Sequence, residues 1–134
     1  MLPSAMAEVT AAVMSMLTLE TAHDGTTAWT GRGTGIGAKS FTGRACVASD
    51  PEDALARLEP DDVLVTTHTT PAYEAILPIV GAVVTDHGGL TSHAALVSRE
   101  LGLPAVLGVI GATTTIPNGA RVTVDPVAGT VTII

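Results

Sequence analysis

The sequence predicts an α/β domain built on a mixed sheet, and three observations carry that prediction. Short apolar runs of the kind that form buried strands, Val63-Leu64-Val65, Ala82-Val83-Val84 and Ala105-Val106-Leu107, recur through the middle of the chain. Segments with helical spacing and capping residues alternate with them. The last stretch, Arg121 to Val124 and Thr130 to Ile134 around Asp125-Pro126-Val127-Ala128-Gly129, reads as a β-hairpin, which requires antiparallel pairing at one end.

Taken in order, residues 3–20 fit one helix, with Ser4 as a cap and Met6, Val9, Val13, Met16 and Leu17 at helical spacing. Residues 21–40, rich in Thr, Gly and Asp, read as a linker without regular structure, and His23 as part of it. Residues 1–30 are accordingly expected to be an N-terminal helix and linker, dispensable for folding, and residues 31–134 the domain proper. Gly31-Arg32-Gly33-Thr34-Gly35-Ile36-Gly37-Ala38-Lys39-Ser40 superficially suggests a phosphate loop. Ala38 separates Gly37 from Lys39, and no frame gives G-x-G-x-x-G after a strand, so a hinge is the expectation. Phe41 to Ala48 is a strand, and Pro51 to Leu58 a short helix capped by Asp50. After the strand at 63–65, Thr70 is positioned to cap a helix from Pro71 to about Leu77-Pro78. Asn118-Gly119 is a turn.

Composition sets limits on function. The chain has 134 residues, enough for one domain with a substantial core. Trp29, Phe41 and Tyr73 are its only aromatic residues, so Val, Leu, Ile and Ala must build that core. A net charge of −7, with six basic residues, argues against nucleic acid and against an anionic membrane surface as partners. Cys46 is the single cysteine and falls in a predicted strand, which fits a core residue in a reducing compartment. No apolar run reaches the ~18 residues of a membrane span, and a cytoplasmic protein is expected.

The chemistry is concentrated after the 82–85 strand. Gly88-Gly89 makes a turn, Thr91 and Ser92 offer N-cap hydroxyls, and His93 to Leu101 reads as a helix stopped by Gly102 and Pro104. Leu90, Ala94, Val97 and Leu101 are expected on its buried stripe, and His93 in its exposed first turn. There the positive end of the helix dipole favours a neutral imidazole over an imidazolium, by about 0.3–1 kcal/mol. The same end, with Thr91 and Ser92 hydroxyls and the Gly88-Gly89 backbone, suits an anion placed on the ring. Asp86, His87 and His93 do not make a credible metal site, because the spacing runs through the Gly-Gly turn without a further Cys or His. Ser92 lacks the strained elbow of a hydrolase nucleophile. His68, in Thr66-Thr67-His68-Thr69-Thr70, reads as a polar surface loop, although such a loop after a strand can face the same sheet end as His93.

Gly88-Gly89-Leu90-Thr91-Ser92-His93-Ala94-Ala95, followed by Arg99-Glu100-Leu101-Gly102-Leu103-Pro104-Ala105-Val106, resembles the phosphohistidine signature of the phosphoenolpyruvate-utilising enzymes. The resemblance spans about residues 31–134 and is to the mobile domain of phosphoenolpyruvate synthase, pyruvate phosphate dikinase and rifampin phosphotransferase, and of enzyme I of the sugar phosphotransferase system. It implies the three-layer β/β/α swivelling fold, with His93 as phosphoryl carrier and Gly88, Gly89, Thr91 and Ser92 around the phosphoryl group. Arg99 matches a basic position of the signature, though helix geometry suits it equally to neutralising the helix C-terminus; His87 is expected to line the approach. The resemblance further implies no cofactor on this chain. ATP or phosphoenolpyruvate, with Mg²⁺, would be bound by ATP-grasp-like and acceptor-binding partner domains or subunits. The alternative is a non-catalytic module that keeps the fold and binds an anion or a protein. The entry segment Lys39-Ser40-Phe41-Thr42-Gly43 departs from the Ser-Pro-Gly-type turn usual in relatives.

Overall fold

The computed structural model describes residues 29–134. The helix expected over 3–20, and His23, lie outside them. Among the described residues eight strands form in chain order: β1 (Thr30–Arg32), β2 (Thr34–Ile36), β3 (Phe41–Val47), β4 (Val63–Thr66), β5 (Ala82–Thr85), β6 (Ala105–Leu107), β7 (Arg121–Asp125) and β8 (Thr130–Ile133). The helices are α1 (Pro51–Arg57), α2 (His93–Leu101) and α3 (Ala112–Thr115).

The sheet is mixed, as expected, in the order β1-β8-β7-β3-β4-β5-β6-β2. Strands β3, β4, β5 and β6 run parallel in the middle, while β7, β8 and both short N-terminal strands pair antiparallel. Only Gly33 separates β1 from β2, yet they occupy opposite ends of this order. The sheet therefore curls round until one short segment covers both of its edges.

The central strands are buried on both faces, and side-chain alternation divides the core in two. Leu64, Val83, Ala105 and Leu107 face the helices, packing with Ala54, Tyr73, Ile76, Leu77, Ala94, Ala95 and Val97. Val63, Val65, Ala82, Val84 and Val106 face the antiparallel strands, packing with Ala45, Val122, Val124 and Val131. That is the expected β/β/α layering. Removing a fully buried side chain such as Leu64 would cost about 2–5 kcal/mol.

Three expectations need correcting. The stretch 21–40 is not structureless where it is described, because 30–36 supplies β1 and β2. Its glycines are there for close approach: a Cβ on Gly33 or Gly35 would overlap the backbone carbonyl of Leu107 or Pro126 respectively. Trp29 also belongs with the folded part, packing on the second core while its carbonyl accepts from the Ile133 amide. Second, in place of the helix expected from Pro71 there are two 3₁₀ turns, Pro71–Tyr73 and Leu77–Ile79, and Thr70 makes no side-chain cap. Pro78 explains this, since a continuous helix would set its ring against the carbonyl of Glu74 and lose an amide donor. Third, Leu90 and Leu101 are exposed, at 60% and 44%, and the face of α2 that packs inward is Ala94, Ala95, Val97 and Ser98. The chain turns at Gly102 in a Schellman arrangement, with the Leu103 amide donating to the Ser98 carbonyl. Leu103 then packs on the core where Leu101 was expected.

Candidate functional site

The site lies at the carboxyl ends of parallel strands β4 and β5, where open α/β sheets collect ligands. Two loops leave these strands side by side. The amides of Asp86 and His87 donate to the carbonyls of Thr66 and Thr67, continuing the parallel pairing past the strand ends. This zipper brings the Thr-rich loop against the Gly-Gly turn. Asp86 fastens the turn from its other side, its carboxylate accepting from the amide and hydroxyl of Thr113 at 2.9 and 2.6 Å.

Gly88 turns the chain with φ +119°, where a side chain is strained and a Cβ would lie 3.1 Å from Ser92 Oγ. Gly89 has open space around it. Ser92 is the N-cap of α2: its hydroxyl accepts from the Ala95 amide at 3.2 Å and donates to the Gly89 carbonyl at 2.8 Å. Both capacities of that hydroxyl are thus engaged in shaping the terminus. Thr91 is exposed beside it. Arg99 reaches back along the helix and donates to the Leu90 carbonyl at 2.9 Å, so it braces the Gly-Gly loop instead of the helix C-terminus. His87 is exposed on the turn, and His68 is exposed on the neighbouring loop. His68 lines a cleft of about 230 Å³ with Asp50, Thr67 and Tyr73.

His93 is the first residue of α2, half-buried with 22% of its side chain exposed. Two residues that sequence reasoning did not single out hold its ring. Thr69, itself buried, places Oγ1 2.8 Å from Nδ1. Glu74, on the exposed turn after Tyr73, places Oε2 3.0 Å from Nε2. The 3₁₀ turn between them is anchored through Tyr73, whose hydroxyl shares a 2.9 Å hydrogen bond with that of Thr66 and whose burial pushes the phenol pKa up. No local pattern marks Thr69 or Glu74; they lie 24 and 19 residues before His93 and meet it only through the pairing of β4 with β5.

The geometry is that of an imidazole clamped at one nitrogen by a buried hydroxyl and turned outward at the other. The family model described as "PEP-utilising enzyme, mobile domain" matches residues 58–129, and the chain belongs to that family. Among its relatives, phosphoenolpyruvate synthase of Aeropyrum pernix is 47% identical over 90 residues, covering 67% of this chain and 11% of the relative. A protein named pyruvate kinase from Geobacillus stearothermophilus is 42% identical over 94 residues, covering 70% of this chain and 16% of that protein. The chain thus spans between about a tenth and a sixth of the length of these relatives. Of solved structures, an enzyme I protein determined in solution superposes with a TM-score of 0.52 at 36% identity, covering 59% of this chain and 33% of that one. Aconitase X of Thermococcus kodakaraensis superposes with a TM-score of 0.59 at 17% identity, covering 79% and 98%, a likeness of fold alone. Among the described residues, no helix is long and apolar enough to cross a membrane.

Proposed function

We propose that this chain is a phosphoryl carrier: His93 takes a phosphoryl group from a donor bound on one partner domain or subunit and delivers it to an acceptor on another. The observation that carries the reading is the ring clamp inside the family motif. Thr69 occupies Nδ1 from the buried side, while Nε2 meets only the exposed Glu74 carboxylate, so Nε2 is the nitrogen a visitor can reach once that side chain moves aside. In the reactive tautomer the proton sits on Nδ1 and is donated to Thr69 Oγ1, so Nε2 presents its lone pair. That lone pair forms the N–P bond while the P–O bond to the donor breaks, its electron pair leaving with the oxygen. The Nδ1–H stays on Thr69 throughout. Gly88, Gly89, Thr91 and the first amides of α2 then face the new anion. Ser92 supports this arrangement through its cap.

The donor, ATP or phosphoenolpyruvate, and its Mg²⁺ belong in this reading to the partner domains, which supply the electrostatic stabilisation of the transferred group. On its own the chain should show no turnover, and a cytoplasmic setting fits such a partner set.

Labelling tests the reading. With its partner and donor, the chain should gain one phosphoryl group that is labile in acid and stable in alkali, the behaviour of a phosphoramidate. His93→Ala should abolish it while leaving the fold intact. Acid-stable label, or label that persists in His93→Ala, would refute the carrier. Absence of any label with active partners would favour a binding module on the same fold.

A further inference from the structure

Nε2 of His93 is not bare. Glu74 Oε2 lies 3.0 Å from it, and an ionised carboxylate can only accept a hydrogen bond. The contact therefore requires a proton on Nε2. Thr69 satisfies Nδ1 in either sense, because a hydroxyl both donates and accepts. With Glu74 engaged, Nε2 is protonated whether the ring is neutral or charged, and its lone pair is withheld from any phosphorus atom.

We infer that Glu74 is a gate on His93: its carboxylate pins the ring proton on the nitrogen that must be bare for phosphoryl transfer, and its withdrawal into solvent arms the ring. This rests on the carrier reading. The two partners of the ring are unequal in the way a gate requires. Thr69 is 7% exposed, buried in the loop that follows β4, whereas the Glu74 side chain is 57% exposed and sits at the end of a single 3₁₀ turn. Arming moves one proton and breaks no covalent bond between heavy atoms. Nε2 gives its proton to water, Nδ1 takes one from water, and Thr69 Oγ1 changes from donor to acceptor. A phosphoryl dianion on Nε2 would then repel the carboxylate at the resting distance, so the gate stays open while the group is carried. When the group has left, Glu74 can return. Glu74 is on this account a positioning residue for His93, acting on its tautomer.

The full chain, labelled with ¹⁵N, gives the test by long-range proton–nitrogen NMR without any donor or partner. The wild type should show Nε2 protonated and Nδ1 bare, with the Nε2–H signal protected from exchange with water; in Glu74→Ala that protection should be lost. Diethyl pyrocarbonate, an uncharged reagent that acylates a bare ring nitrogen, provides a second readout free of charge repulsion. Acylation of His93, located by peptide mass spectrometry, should be about three- to tenfold faster in Glu74→Ala than in the wild type, the factor expected for one hydrogen bond. Glu74→Gln, which can still accept through its amide oxygen, should fall between them. A wild-type ring protonated on Nδ1, or equal acylation rates in all three proteins, would overturn the gate. Phosphoryl labelling of His93 alongside equal acylation rates would sink the gate and keep the carrier. A protected Nε2–H without label under active partners would sink the carrier and keep the proton lock.

Discussion

In the proposed carrier one nitrogen of His93 stays held while the other must come free, and the holder is Thr69. His93 and its cap Ser92 were legible in the sequence because both belong to one local motif, a Gly-Gly turn running into a helix start. Thr69 was not, for a physical reason: it is one of four threonines in five residues, Thr66 to Thr70, and nothing local distinguishes it. Only the register of β4 against β5 selects it. Thr69→Val keeps the shape and removes the hydroxyl, so Nδ1 loses its partner in a half-buried setting. Transfer to His93 should slow about two- to thirtyfold, the equivalent of roughly 0.5–2 kcal/mol for one hydrogen bond near a developing charge. Thr69→Ser, which restores the hydroxyl, should recover most of that rate. Comparing the initial rates of acid-labile labelling in the three proteins checks the assignment; equal rates in the valine and wild-type proteins would remove Thr69 from the site.

At the scale of elements, capping chemistry was readable and side-chain networks across elements were not. Asp50 caps α1, as its position before Pro51 implied, accepting from the Asp53 amide at 2.7 Å. The cap of α2 is equally local, and Ser92→Ala should destabilise the domain by about 0.5–2 kcal/mol and slow transfer by loosening the terminus that presents His93. A thermal melt and a labelling rate on the same protein check both parts. Arg57 shows the other case. It makes two bonds to Asp53 and one each to Asn118 Oδ1 and the Val47 carbonyl, stitching α1 to the end of β3 and to the 118–119 turn. This pairing, with the Ser49 amide, holds the Asp53 carboxyl well below the usual carboxylate range. A folded-state value below the unfolded one means that the contribution is present above the ordinary Asp range, near pH 4, and is lost as the pH falls from there toward the folded value. Asp53→Asn should therefore lower the melting midpoint at neutral pH, and the gap from wild type should narrow as the pH falls below about 4. Melts between pH 2 and 7 measure it, and a gap that does not depend on pH would contradict the pairing.

For the whole molecule, the layered core was legible because strand runs and their alternation are sequence properties: Val63, Leu64, Val65, Val83, Val84, Val97 and Val106 are all buried as expected. The closure of the sheet was not. Residues 30–36 resemble a hinge in composition, since glycine recurs at 31, 33 and 35, and composition alone does not separate chain that must bend from chain that must lie close to another backbone. Stability does separate them, and in opposite directions. At a flexible hinge, Gly35→Ala would restrict the unfolded chain and raise stability by about 0.4–1 kcal/mol. In the closed sheet, Gly35 pairs with Val106 while its α-carbon lies against the backbone of Pro126, so a methyl group there overlaps atoms that no rotamer change can move aside. The cost should be about 1–3 kcal/mol, or a fall of roughly 4–20 °C in the melting midpoint of a domain this size. Gly89→Ala is the control, because a Cβ there meets nothing within 4 Å and its stability should stay within about 0.5 kcal/mol of wild type. A midpoint that rises in Gly35→Ala would return this segment to the role of a hinge and leave the two sheet edges uncovered.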